Sequence, residues 1–97
     1  VMELRKTKTF ADWLDSLRDI QARARIQARI ERLAYGNVGD VRPVGSGISE
    51  IRIDCGPGYR VYFTRKGEEI VFLLAGGDKK SQARDTKTAI QLALILE

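Results

Sequence analysis

The feature that most constrains the fold is a set of three short strand-like runs in the second half of the chain. In residues 49–54, Ile51 and Ile53 alternate with polar side chains, so a strand here has one apolar and one polar face. Residues 59–65 repeat this alternation, and residues 70–75 are apolar throughout, which is typical of a strand covered on both faces. Turns that contain glycine join the three runs. The pattern predicts a small, largely antiparallel sheet.

Two helical segments are predicted ahead of this sheet. Thr9 and Asp12 have capping-box spacing, which places a helix start at about residue 10, and apolar residues then recur at helical intervals. Asp19 is a candidate N-cap for a second helix, whose apolar stripe ends near Tyr35 and Gly36. The two segments form either an αα-hairpin or one long kinked helix.

The remaining segments complete the element order. Residues 2–6 have enough alternation for an edge strand, and residues 36–47, which contain four glycines, are predicted to form an extended loop. Residues 76–78 end the last strand, and helical character returns from Ser81. The predicted order is β-α-α-β-β-β-α, which describes a single α+β domain over residues 1–97 with helices packed on one face of the sheet.

The composition excludes several classes of chemistry. The chain has no histidine and one cysteine, Cys55, so neither a zinc site with the usual ligands nor histidine-dependent catalysis can be assembled. Neither a phosphate-binding loop nor a dinucleotide fingerprint is present, so we expect no cofactor and no metal. The lone cysteine, the polar N-terminus and the lack of a long apolar run predict a cytoplasmic protein without membrane contact.

Basic side chains gather on the polar face of the predicted sheet, in a chain of net charge +4. Arg52, Arg60 and Tyr62 project from that face, and Lys79 and Lys80 follow the last strand, close to the same rim. Fixed cations position a phosphate and stabilise the charge of its transition state, while an aromatic ring stacks a base. The face therefore suits RNA. The alternative is an ordinary solvated face whose lysines prevent aggregation.

A second basic group lies on the predicted second helix. Arg25, Arg29 and Arg32 follow one flank, beside the apolar stripe. Such a flank either contacts RNA or a protein partner, or is simply solvated. Spacing alone leaves these alternatives open.

Three segments of the chain resemble a known family. They are Glu50-Ile-Arg-Ile, Gly58-Tyr-Arg-Val-Tyr-Phe and Ile70-Val-Phe-Leu-Leu-Ala-Gly-Gly-Asp-Lys-Lys. They resemble the RelE superfamily of type II toxins, and more closely its HigB-like branch of addiction-module killer proteins or phage Gp49-like proteins. The resemblance covers nearly the whole chain. It implies a RelE-like fold and a metal-independent, ribosome-associated endoribonuclease that cleaves mRNA to leave a 2′,3′-cyclic phosphate.

The resemblance also implies roles for individual residues. Arg60 would stabilise the transition-state phosphate, and Lys79 would neutralise or protonate the leaving oxygen. Arg52 would bind phosphate or activate the 2′-hydroxyl, although arginine is a poor general base. Where some family members carry a downstream tyrosine or histidine, this chain offers Asp85, with Tyr62 as the alternative stacking residue.

The partners implied by the resemblance are an antitoxin with a helix-turn-helix domain, and mRNA on the ribosome. The same fold hosts ParE-like toxins, which inhibit DNA gyrase and cleave no RNA, and an inactive antitoxin-binding domain is a third possibility. Fold alone does not choose between these functions.

Overall fold

The computed structural model describes residues 1–37 and 39–96, and within them the chain forms five strands and three α-helices. The strands are β1 (Glu3–Lys6), β2 (Val41–Gly45), β3 (Ile48–Ile53), β4 (Tyr59–Lys66) and β5 (Ile70–Asp78). The helices are α1 (Lys8–Ser16), α2 (Ile20–Ala34) and α3 (Gln82–Ile95), and a short 3-10 helix, Lys79–Ser81, joins β5 to α3. The predicted α+β class is confirmed.

One sheet contains all five strands, in the spatial order β1-β5-β4-β3-β2. The last four strands form an antiparallel meander, and β1 pairs in parallel with the free side of β5. β1 and β2 lie at opposite edges because α1 and α2 carry the chain across the sheet between them. The largely antiparallel sheet and the edge strand near the N-terminus are thus as predicted.

The sheet has an apolar core on each face. α1 and α2 cover one face, where Phe10 and Ile26 pack among side chains of β3, β4 and β5. α3 covers the opposite face, where Ala89 packs into a second cluster. The prediction that the helices pack on one face is therefore wrong. The reason is that β5 is apolar on both faces, with Leu73 in the first cluster and Leu74 in the second, so both faces need cover.

α1 and α2 are separate helices, so the hairpin alternative is the correct one. α1 begins earlier than predicted because Thr7, rather than Thr9, caps it, accepting a hydrogen bond from the Phe10 N–H at 3.0 Å. Asp19 caps α2 as predicted, and its carboxylate accepts from two backbone N–H groups of the first turn. None of the described helices is long and apolar enough to cross a membrane.

Residues 41–45, predicted to be part of a loop, form the edge strand β2, so the element order gains a strand. β2 pairs with β3 through a two-residue turn in which Ser46 and Gly47 have φ values of 55° and 76°. Two positive φ values suit the tight turn of a hairpin whose strands twist normally. The strand escapes sequence analysis because Pro43 and the flanking glycines are loop signals, although an edge strand tolerates proline.

β5 continues through Gly76 and Gly77, where the sequence predicts its end. A Cβ on Gly76 would overlap the Trp13 ring of α1, and one on Gly77 would overlap the Asp85 carboxylate of α3. Glycine is needed here because both faces of the strand are approached closely. The two glycines therefore belong to the packing of the sheet rather than to a turn.

Candidate functional site

A cleft of about 310 Å³ opens at the end of the sheet where β3 ends and β4 begins, and it is lined by Asp40, Arg52, Asp54, Gly58, Arg60 and Lys79. β3 contributes Arg52, β4 contributes Arg60, and the 3-10 helix after β5 contributes Lys79. Arg52 lies directly opposite Arg60 in the β3–β4 ladder. Three residues with predicted catalytic roles therefore meet in one cleft.

Arg60 is held by a buried carboxylate on the same face of the sheet. Its side chain is 12% exposed, and its Nε lies 3.6 Å from Oε1 of Glu50, which is completely buried. The side-chain amide of Gln82 donates a hydrogen bond to the other Glu50 oxygen at 2.9 Å. Arg60 thus exposes a small part of its side chain to the cleft, while its buried guanidinium Nε lies beside the carboxylate of Glu50.

Arg52 has a carboxylate partner of its own. Its Nε lies 3.4 Å from Oδ2 of Asp40, and its side chain is 38% exposed. An ion pair with this exposure contributes little to stability, so it leaves Arg52 available to a ligand. Lys79 is exposed and has no ion pair with any residue that the structure describes.

The lining of the cleft mixes both signs of charge. Besides the three cations, Asp40 and Asp54 contribute carboxylates. Asp40 pairs with Arg52, whereas Asp54 is exposed and unpaired within residues 1–37 and 39–96. No group of three or more potential metal-ligating side chains occurs in that same part of the chain. The cleft therefore combines anion-binding groups with a free carboxylate able to accept a proton.

Tyr62 does not reach the cleft. Its ring is completely buried between the sheet and α3, and burial raises the pKa of its hydroxyl to about 12, with the Thr86 hydroxyl opposing that rise. A buried ring cannot stack on a base, so the predicted stacking role of Tyr62 is wrong. The reason is that α3 covers the face that the sequence left open to solvent.

Asp85 does not line the cleft either. It is 7% exposed, accepts a hydrogen bond from the Ser81 hydroxyl, and lies 3.5 Å from Nε of Arg84. It packs over Gly77, where it fastens the start of α3 to β5. Gly77 lies opposite Arg60 in the β4–β5 ladder, so Asp85 lies behind the strand that carries Arg60. A catalytic role for Asp85 stays a prediction.

The other basic residues predicted for RNA binding lie outside the cleft lining. Lys80 is exposed on the 3-10 helix. Arg25, Arg29 and Arg32 line a second groove, of about 370 Å³, together with Ala28, Ile53 and Asp54. Because Asp54 borders both the cleft and this groove, the two concavities adjoin at the end of β3.

Arg29 has a structural contact that neither Arg25 nor Arg32 makes with any described residue. Its Nη1 donates a hydrogen bond to the Arg52 carbonyl at 3.0 Å, which ties α2 to β3. Arg25 and Arg32 are exposed. An RNA-binding role for these two side chains stays a prediction.

The sequence is also similar to known proteins. The family described as Phage derived protein Gp49-like matches residues 12–96. The chain belongs to the Gp49-like family. A relative from Haemophilus influenzae strain Rd, described as an uncharacterized protein, is 48% identical over 92 residues, which cover 95% of this chain and 93% of the relative.

The fold of this Gp49-like protein is also that of a solved toxin structure. A free-state mutant of E. coli toxin RelE matches with a TM-score of 0.69 and 13% identity, over 89% of this chain and 95% of the RelE chain. At 13% identity, this likeness shows a shared fold and nothing about activity. The RelE-like fold and the Gp49-like membership expected from the resemblance are both confirmed.

Sequence reasoning missed four polar residues around the cleft of this Gp49-like protein: Asp40, Glu50, Asp54 and Gln82. Glu50 and Asp54 carried a usable signal, because the alternation of β3 places them on the same face as Arg52. Asp40 and Gln82 carried none, because they reach the site from the segment before β2 and from α3, whose positions the pattern did not determine.

Proposed function

We propose that this Gp49-like protein is the toxin of a type II toxin–antitoxin module and that it cleaves mRNA on the ribosome without a metal ion. The observation that carries the proposal is the cleft, where Arg52, Arg60 and Lys79 lie with the exposed carboxylate of Asp54. Fold likeness alone does not decide function, so the proposal depends on this set of side chains.

The proposed reaction is an internal transfer at one phosphodiester. The ribose 2′-oxygen bonds to the adjacent phosphorus while the bond from phosphorus to the 5′-oxygen breaks, giving a 2′,3′-cyclic phosphate and a 5′-hydroxyl. Asp54 takes the proton of the 2′-hydroxyl, and Lys79 gives a proton to the leaving 5′-oxygen. Arg52 and Arg60 stabilise the extra negative charge on the phosphorane.

The groove beyond Asp54 extends the proposed RNA-binding surface. Arg25 and Arg32 contact phosphates that flank the scissile one. Lys80, next to Lys79 on the 3-10 helix, adds positive charge beside the cleft. Phosphate contacts position the strand without reading its sequence. In this proposal the cleft supplies the chemistry and the groove supplies affinity.

The proposed partner is an antitoxin with a helix-turn-helix domain. It silences the toxin either by covering the cleft or by binding elsewhere and blocking the toxin's entry into the ribosome. Toxin and antitoxin both act in the cytoplasm. The charged cleft and groove offer the antitoxin a surface that acidic side chains complement.

Induced expression of wild type and Arg60→Ala tests the function, with growth and the 5′ ends of cellular mRNA as readouts. We expect growth arrest and new 5′ ends within reading frames for wild type, and neither for Arg60→Ala. Because that change leaves Glu50 buried without its partner, Lys79→Ala is the second variant, and we expect its cleavage rate to fall by roughly 100-fold. Arg65→Ala, exposed near the far end of β4, is the matched control.

Two outcomes would contradict the ribonuclease. Arrest in all variants without new 5′ ends would favour a ParE-like inhibitor of DNA gyrase, because no bond in RNA is cut. A wild type that causes no arrest would indicate an inactive domain that only binds the antitoxin.

A further inference from the structure

We propose that Glu50 is a positioning residue that fixes the orientation of Arg60 toward the cleft, and that Gln82 ties this orientation to the docking of α3. The proposal rests on the proposed function of the cleft, and it adds two residues that do not touch the substrate.

Glu50 is a charged residue in an apolar part of the molecule. Its side chain is completely buried on the face of β3 that α3 covers, where Ile48, Leu74 and Ala89 form the core. Burial of a carboxylate is unfavourable unless the group is paired and hydrogen-bonded. An apolar side chain would fill this position without that cost, so the carboxylate indicates a role beyond packing.

The strand register shows why Arg60 needs a fixed partner. Arg60 lies directly opposite Arg52, and like charges in this position repel. Glu50 lies opposite Tyr62, which makes it the diagonal neighbour of Arg60 on the same face. Its Oε1 lies 3.6 Å from Nε of Arg60, while Asp40 lies 3.4 Å from Nε of Arg52. Each guanidinium therefore has its own carboxylate.

Gln82 connects this pair to α3. It is the first residue of the helix, and its side-chain amide donates to Oε2 of Glu50 at 2.9 Å. Oε1 of Glu50 and Nε of Arg60 are buried and form no hydrogen bond with any described residue. The pair is thus held by the placement of β3, β4 and α3, so a displaced α3 would release Glu50 and with it Arg60.

The expected consequence concerns the rate of cleavage more than substrate binding. Without its carboxylate partner, Arg60 keeps its charge but gains rotational freedom. Phosphate binding tolerates a mobile cation, whereas transition-state stabilisation requires the guanidinium at a defined place. Loss of the pair should therefore lower kcat and leave KM nearly unchanged.

The experiment compares wild type with Glu50→Gln and Gln82→Ala, and uses Gln91→Ala, an exposed glutamine of the same helix, as the control. The first measurement is the ¹⁵N–¹H heteronuclear NOE of the Arg60 Nε–H group in the purified protein, which reports its mobility. The second is kcat and KM for mRNA cleavage on programmed ribosomes.

We expect Glu50→Gln to lower the NOE and to reduce kcat by roughly 10- to 100-fold, with KM within about threefold of wild type. Gln82→Ala should change both in the same direction, with a fall in kcat of roughly 3- to 10-fold, and Gln91→Ala should match wild type. If Glu50→Gln does not fold, Gln82→Ala decides, because it keeps the ion pair.

An Arg60 NOE that stays at the wild-type value in both variants would overturn the proposal. Equal losses of cleavage activity in both variants, with KM raised and kcat unchanged, would also overturn the proposal. If wild type does not cleave mRNA, the proposed function fails, while the NOE still decides whether Glu50 orients Arg60.

Discussion

Buried polar residues between the sheet and α3 differ in whether their polar atoms have hydrogen-bond partners. Glu50 is paired with Arg60 and accepts from Gln82, and Asp85 accepts from the Ser81 hydroxyl. Tyr62 differs, because its hydroxyl is buried and forms no hydrogen bond of good geometry with any described residue. Burial raises the pKa of Tyr62 to about 12, since the phenolate loses its hydration there.

This pKa predicts a loss of stability at high pH. The hydroxyl of Tyr62 ionises near pH 10 in the unfolded chain but stays protonated in the folded one, so above about pH 10 the unfolded state binds fewer protons. The free energy of unfolding should then fall with rising pH, by at most about 1.4 kcal/mol per pH unit from this group. Urea unfolding at several pH values between about pH 9 and 11 measures this fall in the free energy of unfolding.

Tyr62→Phe should flatten this part of the pH profile, because no phenol remains to ionise. Tyr35→Phe is the control, since Tyr35 is 79% exposed. The same slope in wild type and Tyr62→Phe would assign the effect to other groups.

At the scale of secondary-structure elements, two adjacent glycines let helices approach β5 from opposite sides. Trp13 of α1 lies over Gly76, and Asp85 of α3 lies over Gly77. Successive residues of a strand point to opposite faces, so a pair of glycines admits one helix on each side. The contacts place α1 and the start of α3 near the end of β5 that leads to Lys79.

Gly76→Ala should destabilise the protein, because its methyl group would overlap the Trp13 ring. Overpacking of this kind costs about 1–3 kcal/mol in the free energy of unfolding. In a Trp13→Leu background the methyl group has more room, so Gly76→Ala should cost less there. Urea unfolding of the four proteins in this double-mutant cycle measures the coupling, and additive effects would contradict the contact.

At the scale of the whole molecule, basic residues from several elements meet at one end of the sheet. The cleft takes cations from β3, β4 and the 3-10 helix, and the adjoining groove takes three arginines from α2. The two surfaces share Asp54. With a net charge of +4, this arrangement suits a partner that presents several phosphates.

Binding to programmed ribosomes should therefore weaken steeply between about 50 and 200 mM salt, because phosphate contacts release counterions. Lys79→Ala should reduce the slope of log K against log salt by about 0.7–1, the share of one phosphate contact. Lys66→Ala is the control, since Lys66 ends β4 away from the cleft. Equal slopes for wild type and Lys79→Ala would exclude Lys79 from the proposed RNA contact.

Much of the fold could be predicted because its signals are local. The alternation of residues 49–54 and 59–65 placed Ile51, Ile53, Val61 and Phe63 on one face of the sheet and Tyr62 on the other, as the two core clusters show. Asp19 marked the start of α2. β2 could not be predicted in the same way, because Pro43 and the glycines around it are also loop signals. Its identity as a strand depends on pairing with β3.

The sequence by itself determined four of the five described strands, the two faces of β3 and β4, and the cations at one end of the sheet, since alternation and turn residues act over a few positions. Only the tertiary structure decided that α3 covers the polar face, that Tyr62 is buried there, and that Asp54 rather than Asp85 lies in the cleft. These facts depend on contacts between distant parts of the chain, such as that of Gln82 with Glu50, 32 residues away. Strand periodicity carries no information about which helix packs on a face.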